Sequence, residues 1–264
     1  MPNAHYIELI GKTVGILETL RDNPDGLSLQ GLAAQTGQVK SSVHRTLRSL
    51  MHHGYIEQDT PGSAYRLGLQ ILVLARGVRT TNNLVELARP YTREFMETFD
   101  ESTYLAVLRH GRGVFLDVQE TRRDLRLVGP LGAEVHFHAT AAGKVMAAFF
   151  PKDRMEDLLK TLRQAPLTKR TLLSRLQIER EWALVRKRGY ASNDEETIVG
   201  AIFLAAPIFD AAEKICGSIS IGVPKPRYST KLGERIISHL TNSCRRLSDA
   251  LKAVHYVHEN GFLD

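Results

Sequence analysis

The chain has 264 residues, room for more than one domain, and a formal net charge of +6 from 35 Lys and Arg against 29 Asp and Glu. That balance favours a polyanionic partner, while only two cysteines, Cys216 and Cys244, exclude a disulfide framework and fit a reducing compartment. Residues 1–11 include Asn3, His5 and Glu8, so no signal peptide is expected; no segment is apolar for the length of a bilayer, and a cytoplasmic protein without membrane contact follows as the expectation.

Ile7, Ile10, Val14, Leu17 and Leu20 keep a helical period, and Asn23, Pro24, Asp25 and Gly26 stop it. A second helix is predicted over residues 29–35, N-capped by Ser28, with Gly37 supplying the turn after it. From Val39 onward Val43, Leu47, Leu50 and Met51 share one helical face, leaving Lys40, Ser41, Ser42, His44, Arg45, Arg48 and Ser49 on the other. No acidic residue falls between Gly26 and Glu57. Short hydroxyls and long cations without carboxylates suit the phosphate-lined major groove, so this reads as a helix-turn-helix with Ser28, Lys40, Ser41, Ser42, His44, Arg45 and Arg48 as DNA contacts. A solvated face on an ordinary helical hairpin is the plainer alternative. Strands at 55–57 and 65–67 around a turn at 59–63 favour the first reading, since they add a wing that would carry Arg66 to the phosphate backbone. His52 and His53 read as surface residues at the end of the recognition helix.

The DNA-binding domain is thus expected over residues 1–68. A linker over 69–83, helical from Leu69 to Thr81, leads into a second domain over 84–264 that opens with a helix at 84–99, bent near Pro90. Half-sites about 34 Å apart are read together by a dimer. Ile71, Leu72 and Leu74 serve either as that dimer surface or as packing on their own domain.

The remainder predicts an α+β domain. A hairpin joins 103–108 to 114–119, and strands follow at 125–128 and 135–138. An alanine-rich helix at 139–150 stops at Pro151; helices at 152–162 and 174–188 come next, the last ending at Gly189 with Arg186, Lys187 and Arg188 in its final turn. Long apolar strands at 201–209 and 215–223 form a central antiparallel hairpin, and residues from Leu232 to Leu251 give an amphipathic helix, so one sheet is covered by helices. Thr140, Ala141, Ala142 and Gly143 leave backbone N–H groups open to an anionic oxygen at a helix start, with close packing as the alternative. Alternation puts Ser218, Ser220 and Gly222 on one sheet face. His136 and His138 alternate too, but no further ligand at metal spacing accompanies them, so no metal or other cofactor is expected. Asp194, Glu195 and Glu196 read as a solvated acidic loop. The chain has no G-x-S-x-G, H-E-x-x-H or phosphate-cradling motif, which argues against an enzyme with an accessory DNA-binding domain. An architectural DNA-binding protein would have no use for so large a second domain.

The helix-turn-helix segment VKSSVHRTLRSLMHHGYIEQD, with HATAAGKVMAAFFP at 138–151 and RGYASNDEETIVGAIFLAAPIFD at 188–210, resembles the IclR family of bacterial transcriptional regulators over nearly the whole chain. The resemblance implies a winged helix joined by a linker helix to a GAF-like effector-binding domain. It also implies a homodimer or dimer of dimers, and operator affinity controlled by a small organic molecule; the regulator is a repressor or an activator according to where its operator lies. Carried over from the family, Leu127, Val135, Ala141, Ala142 and Ala201 would form an apolar wall. Asn193, Phe203, Ser218, Ser220 and Gly222 would surround the polar end. Where some members have an acidic residue, a cysteine and a second serine, this chain has Asn193, Phe203 and Gly222. That loss of polar groups predicts a flatter, more apolar ligand, such as an aromatic carboxylic acid.

Overall fold

The computed structural model describes residues 7–60, 62–76, 83–109, 111–129, 131–162 and 164–257. The chain divides into two compact units, residues 1–80 and 81–264. In the first, helices α1 (Glu8–Arg21), α2 (Leu29–Thr36) and α3 (Lys40–His52) precede the short antiparallel strands β1 (Ile56–Glu57) and β2 (Arg66–Leu67). The Ser28 hydroxyl caps α2 by accepting from the Gly31 N–H at 3.1 Å. Gly37 ends that helix at φ 65°, a left-handed conformation that a residue with a Cβ adopts at a cost. Val43 and Leu47 of α3 pack against Ile16, Leu20, Leu32, Ile56 and Tyr65 to form the core.

The helical stripe expected from Ile7, Ile10 and Val14 is corrected: these side chains are 44–61% exposed, and the buried residues of α1 are Ile16 and Leu20. The helix carries two neighbouring apolar stripes, and periodicity alone does not tell which one meets the core. The wing is anchored by a contact the sequence does not announce. Leu27 and Tyr65 exchange backbone hydrogen bonds of 2.8 and 3.0 Å, tying the approach to α2 to the second wing strand.

Helix α4 (Gln70–Arg76) follows the wing. Its Leu72 and Leu74 are 65% and 59% exposed, so packing on their own domain does not account for them, while Ile71 is half-buried. The rest of the expected linker, residues 77–82, lies outside the described residues, as do Pro61, His110 and Pro130.

The second unit is built on a five-stranded, wholly antiparallel sheet in the order β4-β3-β7-β6-β5. Its strands are β3 (Thr103–Arg109), β4 (Arg112–Gln119), β5 (Ala191–Asp194), β6 (Ala201–Phe209) and β7 (Ile215–Pro224). Helices α5 (Asn83–Phe99) and α9 (Thr230–Ala253) cover one face through Phe95, Ile236, Leu240, Cys244 and Leu247. The other face carries α6 (Ala141–Ala148), α7 (Lys152–Thr161) and α8 (Arg175–Arg188). Cys216 and Cys244 are both buried, and burial pushes the Cys244 thiol up to about 12, so these are packing residues rather than nucleophiles. Among the described residues no helix is long and apolar enough to cross a membrane.

All eight residues of α6 are buried, which explains its small side chains. A Cβ on Gly143 would lie 2.4 Å from the His136 carbonyl oxygen, so only glycine admits this approach of helix to chain. Arg186 of α8 secures the far end, donating to the carbonyls of Ala148 at 2.5 Å and Phe150 at 2.7 Å. Trp182 donates its indole N–H to the Phe137 carbonyl at 3.1 Å.

Two expected strands do not form. Residues 125–128 run as coil, with the Leu127 carbonyl accepting the Tyr104 hydroxyl at 2.6 Å. At 135–138 there is no ladder either; Glu134 makes an isolated bridge to Val114, and the chain turns into α6 with Ala139 and Thr140 both donating to the His136 carbonyl. A short apolar run packed on a core reads like a strand whether or not a partner is present. The polar strand β5, by contrast, has no apolar alternation to announce it.

Candidate functional site

On α3 the side chains of Lys40, Ser41, His44, Arg45 and Arg48 are exposed and Ser42 is half-buried. Lys40, Arg45 and Arg48 form no ion pair among the described residues, so their charges are available to phosphate or base edges. Ser28 is exposed but uses its hydroxyl as the α2 cap. Arg66 is held in place, its Nη1 2.6 Å from Asp59 Oδ2 and its Nε donating to the Asp25 carbonyl at 3.1 Å.

In the second unit a cavity of about 290 Å³ lies between the sheet, the loop before α6 and the loop after β5. Six of the expected residues line it: Thr140, Ala141, Ala142, Asn193, Phe203 and Ser220. Its walls also include Tyr104, Phe115, Val128, Gly129, Ala133, Glu134, His136, Leu167, Thr197 and Ile198. Tyr104 was legible in principle, since its register places it opposite Ser220 on the sheet. Leu167, in coil far along the chain, carries no local signal.

The polar groups of the cavity divide into committed and available ones. Thr140 accepts from the Gly143 N–H at 3.0 Å and donates to the His136 carbonyl at 2.9 Å. Asn193 donates to Thr197 Oγ1 and accepts from the Glu196 N–H, both at 2.8 Å. Glu134 pairs with Arg112. Available are the Ser220 hydroxyl, 3% exposed, and the first-turn N–H groups of Ala141 and Ala142, none of which has a hydrogen-bond partner among the described residues. No Lys or Arg is among the described residues that line the cavity. One anionic or strongly accepting group can therefore be met by a hydroxyl and a helix N-terminus, with an apolar body against Tyr104, Phe115 and Phe203.

The other six expected residues are not on its surface. Gly222 lies beneath Phe203, and Leu127 packs beside that glycine. Val135 packs over Gly113, Gly143 packs on the 136–137 backbone, and Ala201 is buried opposite Pro224 at the start of β6. Ser218 shares Ser220's sheet face, fully buried, with its hydroxyl unpartnered. A larger groove of about 530 Å³ beside α9 holds none of the expected residues, and its Lys252 is paired with Glu213 at 3.0 Å.

His138 is buried, with Nε2 3.2 Å from the Ala165 carbonyl, and its ring stands 6.0 Å from that of His136. Burial, the largest influence, lowers its pKa from the usual histidine value. The acidic run is solvated at Asp194, as expected, but Glu195 and Glu196 are largely covered, and all three carboxylates are paired. Arg170 lies 2.5 Å from Asp194; Lys225 pairs with both Asp194 and Glu195; Lys144 lies 2.5 Å from Glu196.

Residues 77–249 match the family model described as the bacterial transcriptional regulator IclR C-terminal domain, and residues 10–60 match the IclR helix-turn-helix domain. The glycerol operon regulatory protein of Streptomyces griseus is 32% identical over 225 residues, covering 85% of this chain and 87% of that protein. The transcriptional repressor IclR of Escherichia coli is 27% identical over 242 residues, covering 89% and 88%. Among solved structures, an IclR transcriptional regulator from Alicyclobacillus acidocaldarius superposes with a TM-score of 0.77 at 19% identity, covering 94% of this chain and 100% of that one. An IclR homolog from Microbacterium hydrocarbonoxydans, complexed with 4-hydroxybenzoate, gives 0.72 at 20% identity, covering 93% and 99%.

Proposed function

The chain belongs to the IclR family and is a DNA-binding transcriptional regulator, not an enzyme; we propose that its operator affinity is set by a small aromatic or similarly bulky carboxylic acid bound in the 290 Å³ cavity. The observation that carries this reading is the pairing of a buried Ser220 hydroxyl, unpartnered among the described residues, with the open N–H groups of Ala141 and Ala142 in a cavity whose remaining walls are mostly apolar and whose other polar side chains are largely committed. Among the described lining residues there is no Lys or Arg, which favours a single carboxylate over a dicarboxylate. The 4-hydroxybenzoate held by the Microbacterium homolog is consistent with that class.

At the other end, Lys40, Ser41, Ser42, His44, Arg45 and Arg48 enter the major groove. Ser28 lies at the approach to it, and the wing bearing Arg66 flanks it. In the cytoplasm two or four copies bind a repeated operator. The exposed apolar residues of α1 and of α4, Ile10, Val14, Leu72 and Leu74 among them, supply contact surface between copies. The effector acts by linkage: it binds two arrangements of the regulator unequally, and DNA affinity changes by that difference, with the segment over residues 69–83 passing the change on. Repression, the role named for the Escherichia coli relative, is the sign of control this reading takes.

Thermal-shift titration of the full chain with benzoate, 4-hydroxybenzoate and phenylacetate, beside glyoxylate and pyruvate, tests the ligand class. Stabilisation by the aromatic acids, together with altered affinity for a selected operator fragment, is expected. Stabilisation by the keto acids alone would sink the aromatic reading, and no response to any acid would sink the carboxylate reading.

A further inference from the structure

Lys144 stands apart from the small residues of α6. It is 1% exposed, yet it carries a charge into the interior of the second unit. Its Nζ lies 2.5 Å from Glu196 Oε1 and 3.6 Å from Glu181 Oε1, and Glu181 is itself taken by Arg188 at 2.9 Å. Glu196 belongs to the loop after β5, whose next residues, Thr197 and Ile198, line the cavity.

From this geometry we infer that Lys144 and Glu196 form a buried latch that fixes the loop after β5 against α6, and so positions Asn193 and Thr197 for the effector. The inference rests on the reading of the cavity as a ligand site. Two walls of one cavity meet at this ion pair. The helix whose first turn offers its N–H groups also carries Lys144 one turn later, and the residue that Lys144 grips donates its own backbone N–H to Asn193 Oδ1 at 2.8 Å. Asn193 in turn donates to Thr197 at 2.8 Å, so a displacement of Glu196 moves both cavity residues.

Stability is a poor reason for this pair. Taking two charges out of water costs about as much as their attraction returns, and an apolar pair of equal volume would hold the fold as well. What an ion pair supplies, and an apolar contact does not, is a single geometry. The loop needs one. Glu195 sits at φ 61°, a left-handed conformation for a residue with a side chain, and such strain persists where neighbours over-determine the backbone. Those neighbours are present. Thr168 Oγ1 and Thr171 Oγ1 donate to the carbonyls of Glu195 and Glu196, each at 2.7 Å, and Glu195 Oε1 accepts from the Gly200 N–H at 2.8 Å. Lys144 is the one contact from α6 in this set. Among the described residues the second carboxylate oxygen of Glu196 is buried without a partner, so the hold on this side chain comes from Lys144.

Amide hydrogen exchange on the full chain without ligand tests the latch, alongside the melting temperature. Lys144→Met leaves a buried carboxylate unpaired and would lower stability for that reason alone. The informative variant is therefore Lys144→Met/Glu196→Leu, which removes both charges; Glu196→Gln keeps the shape but leaves the Lys144 ammonium without its carboxylate, so its melting temperature falls too and only its local exchange is read. The expected result is near wild-type melting of the double variant and, in both variants, exchange over residues 194–200 faster by roughly tenfold relative to exchange in α9. Affinity for 4-hydroxybenzoate, used as the probe, should fall along with that protection. Wild-type protection of residues 194–200 in both variants would overturn the latch. If 4-hydroxybenzoate binds none of the proteins, the ligand reading loses its support, and the exchange rates still decide the latch.

Discussion

The ring of Phe203 lies over Gly222, where an added Cβ would come within 2.7 Å of it. The two positions are opposite each other on β6 and β7, so the bulk of one is accommodated by the absence of a side chain on the other. Gly222→Ser should therefore push the Phe203 ring toward the cavity, destabilise the fold by about 1–3 kcal/mol as overpacking does, and weaken binding of an aromatic acid. Combining it with Phe203→Cys should recover most of the stability. Chemical denaturation of the two single variants and the double one measures that coupling, and simple additivity would show that the contact does not matter.

Arg45→Ala and Lys40→Ala should both weaken operator binding, but differently. A base-reading Arg45 costs about 1–3 kcal/mol and relaxes preference at one operator position. A phosphate-contacting Lys40 costs affinity evenly across sequences and reduces the salt slope by about 1. Fluorescence anisotropy on an operator series at several salt concentrations separates them, and unchanged slopes with unchanged sequence preference would remove both residues from the interface.

Arg66 makes a different prediction from the other cations, because it joins Asp59 of the wing turn to the Asp25 carbonyl before α2. Arg66→Lys cannot make both contacts with one ammonium, so it should lose operator affinity nearly as far as Arg66→Ala does. If lysine restores binding, Arg66 acts as a plain phosphate contact instead.

Protonation of His138 should couple to stability. Its folded-state pKa is lowered, mainly by burial, so the unfolded chain takes up the proton first as pH falls. The stabilisation it contributes is complete above the usual histidine value of 6.5 and is lost as pH drops through the lower folded-state value. Urea midpoints at pH 8 and pH 5 should thus differ more in the wild type than in His138→Gln. Equal pH responses would mean that the buried ring does not resist protonation.

The winged helix was legible because its signals are local. Ser28, Gly37 and the Val43–Leu47 spacing act within a few residues of themselves, and the structure puts each where its chemistry requires. The cavity was legible only in half. Ser220 sits on a strand whose period reveals its face and Thr140 at a helix start that its capping hydroxyl marks, whereas Val128 and Leu167 reach the cavity from coil, where side-chain direction follows tertiary packing. Gly143 reads equally as an anion cradle or as close packing until the His136 carbonyl is seen beside it. Lys144 and Glu196 are 52 residues apart, and nothing in either local sequence announces the pair.

The sheet of the second unit has two outer strands, and neither offers a long regular row of backbone groups among the described residues. Along β4, residues 132–135 already bond to Gly113 and Phe115, and an irregular register beside Leu105 interrupts the strand. At the opposite margin β5 has four residues and runs into the Asp194–Glu196 carboxylates. Such margins resist growth by strand addition. If several copies occupy one operator, as proposed above, such margins favour contact through side-chain surfaces over the joining of their sheets into one ribbon.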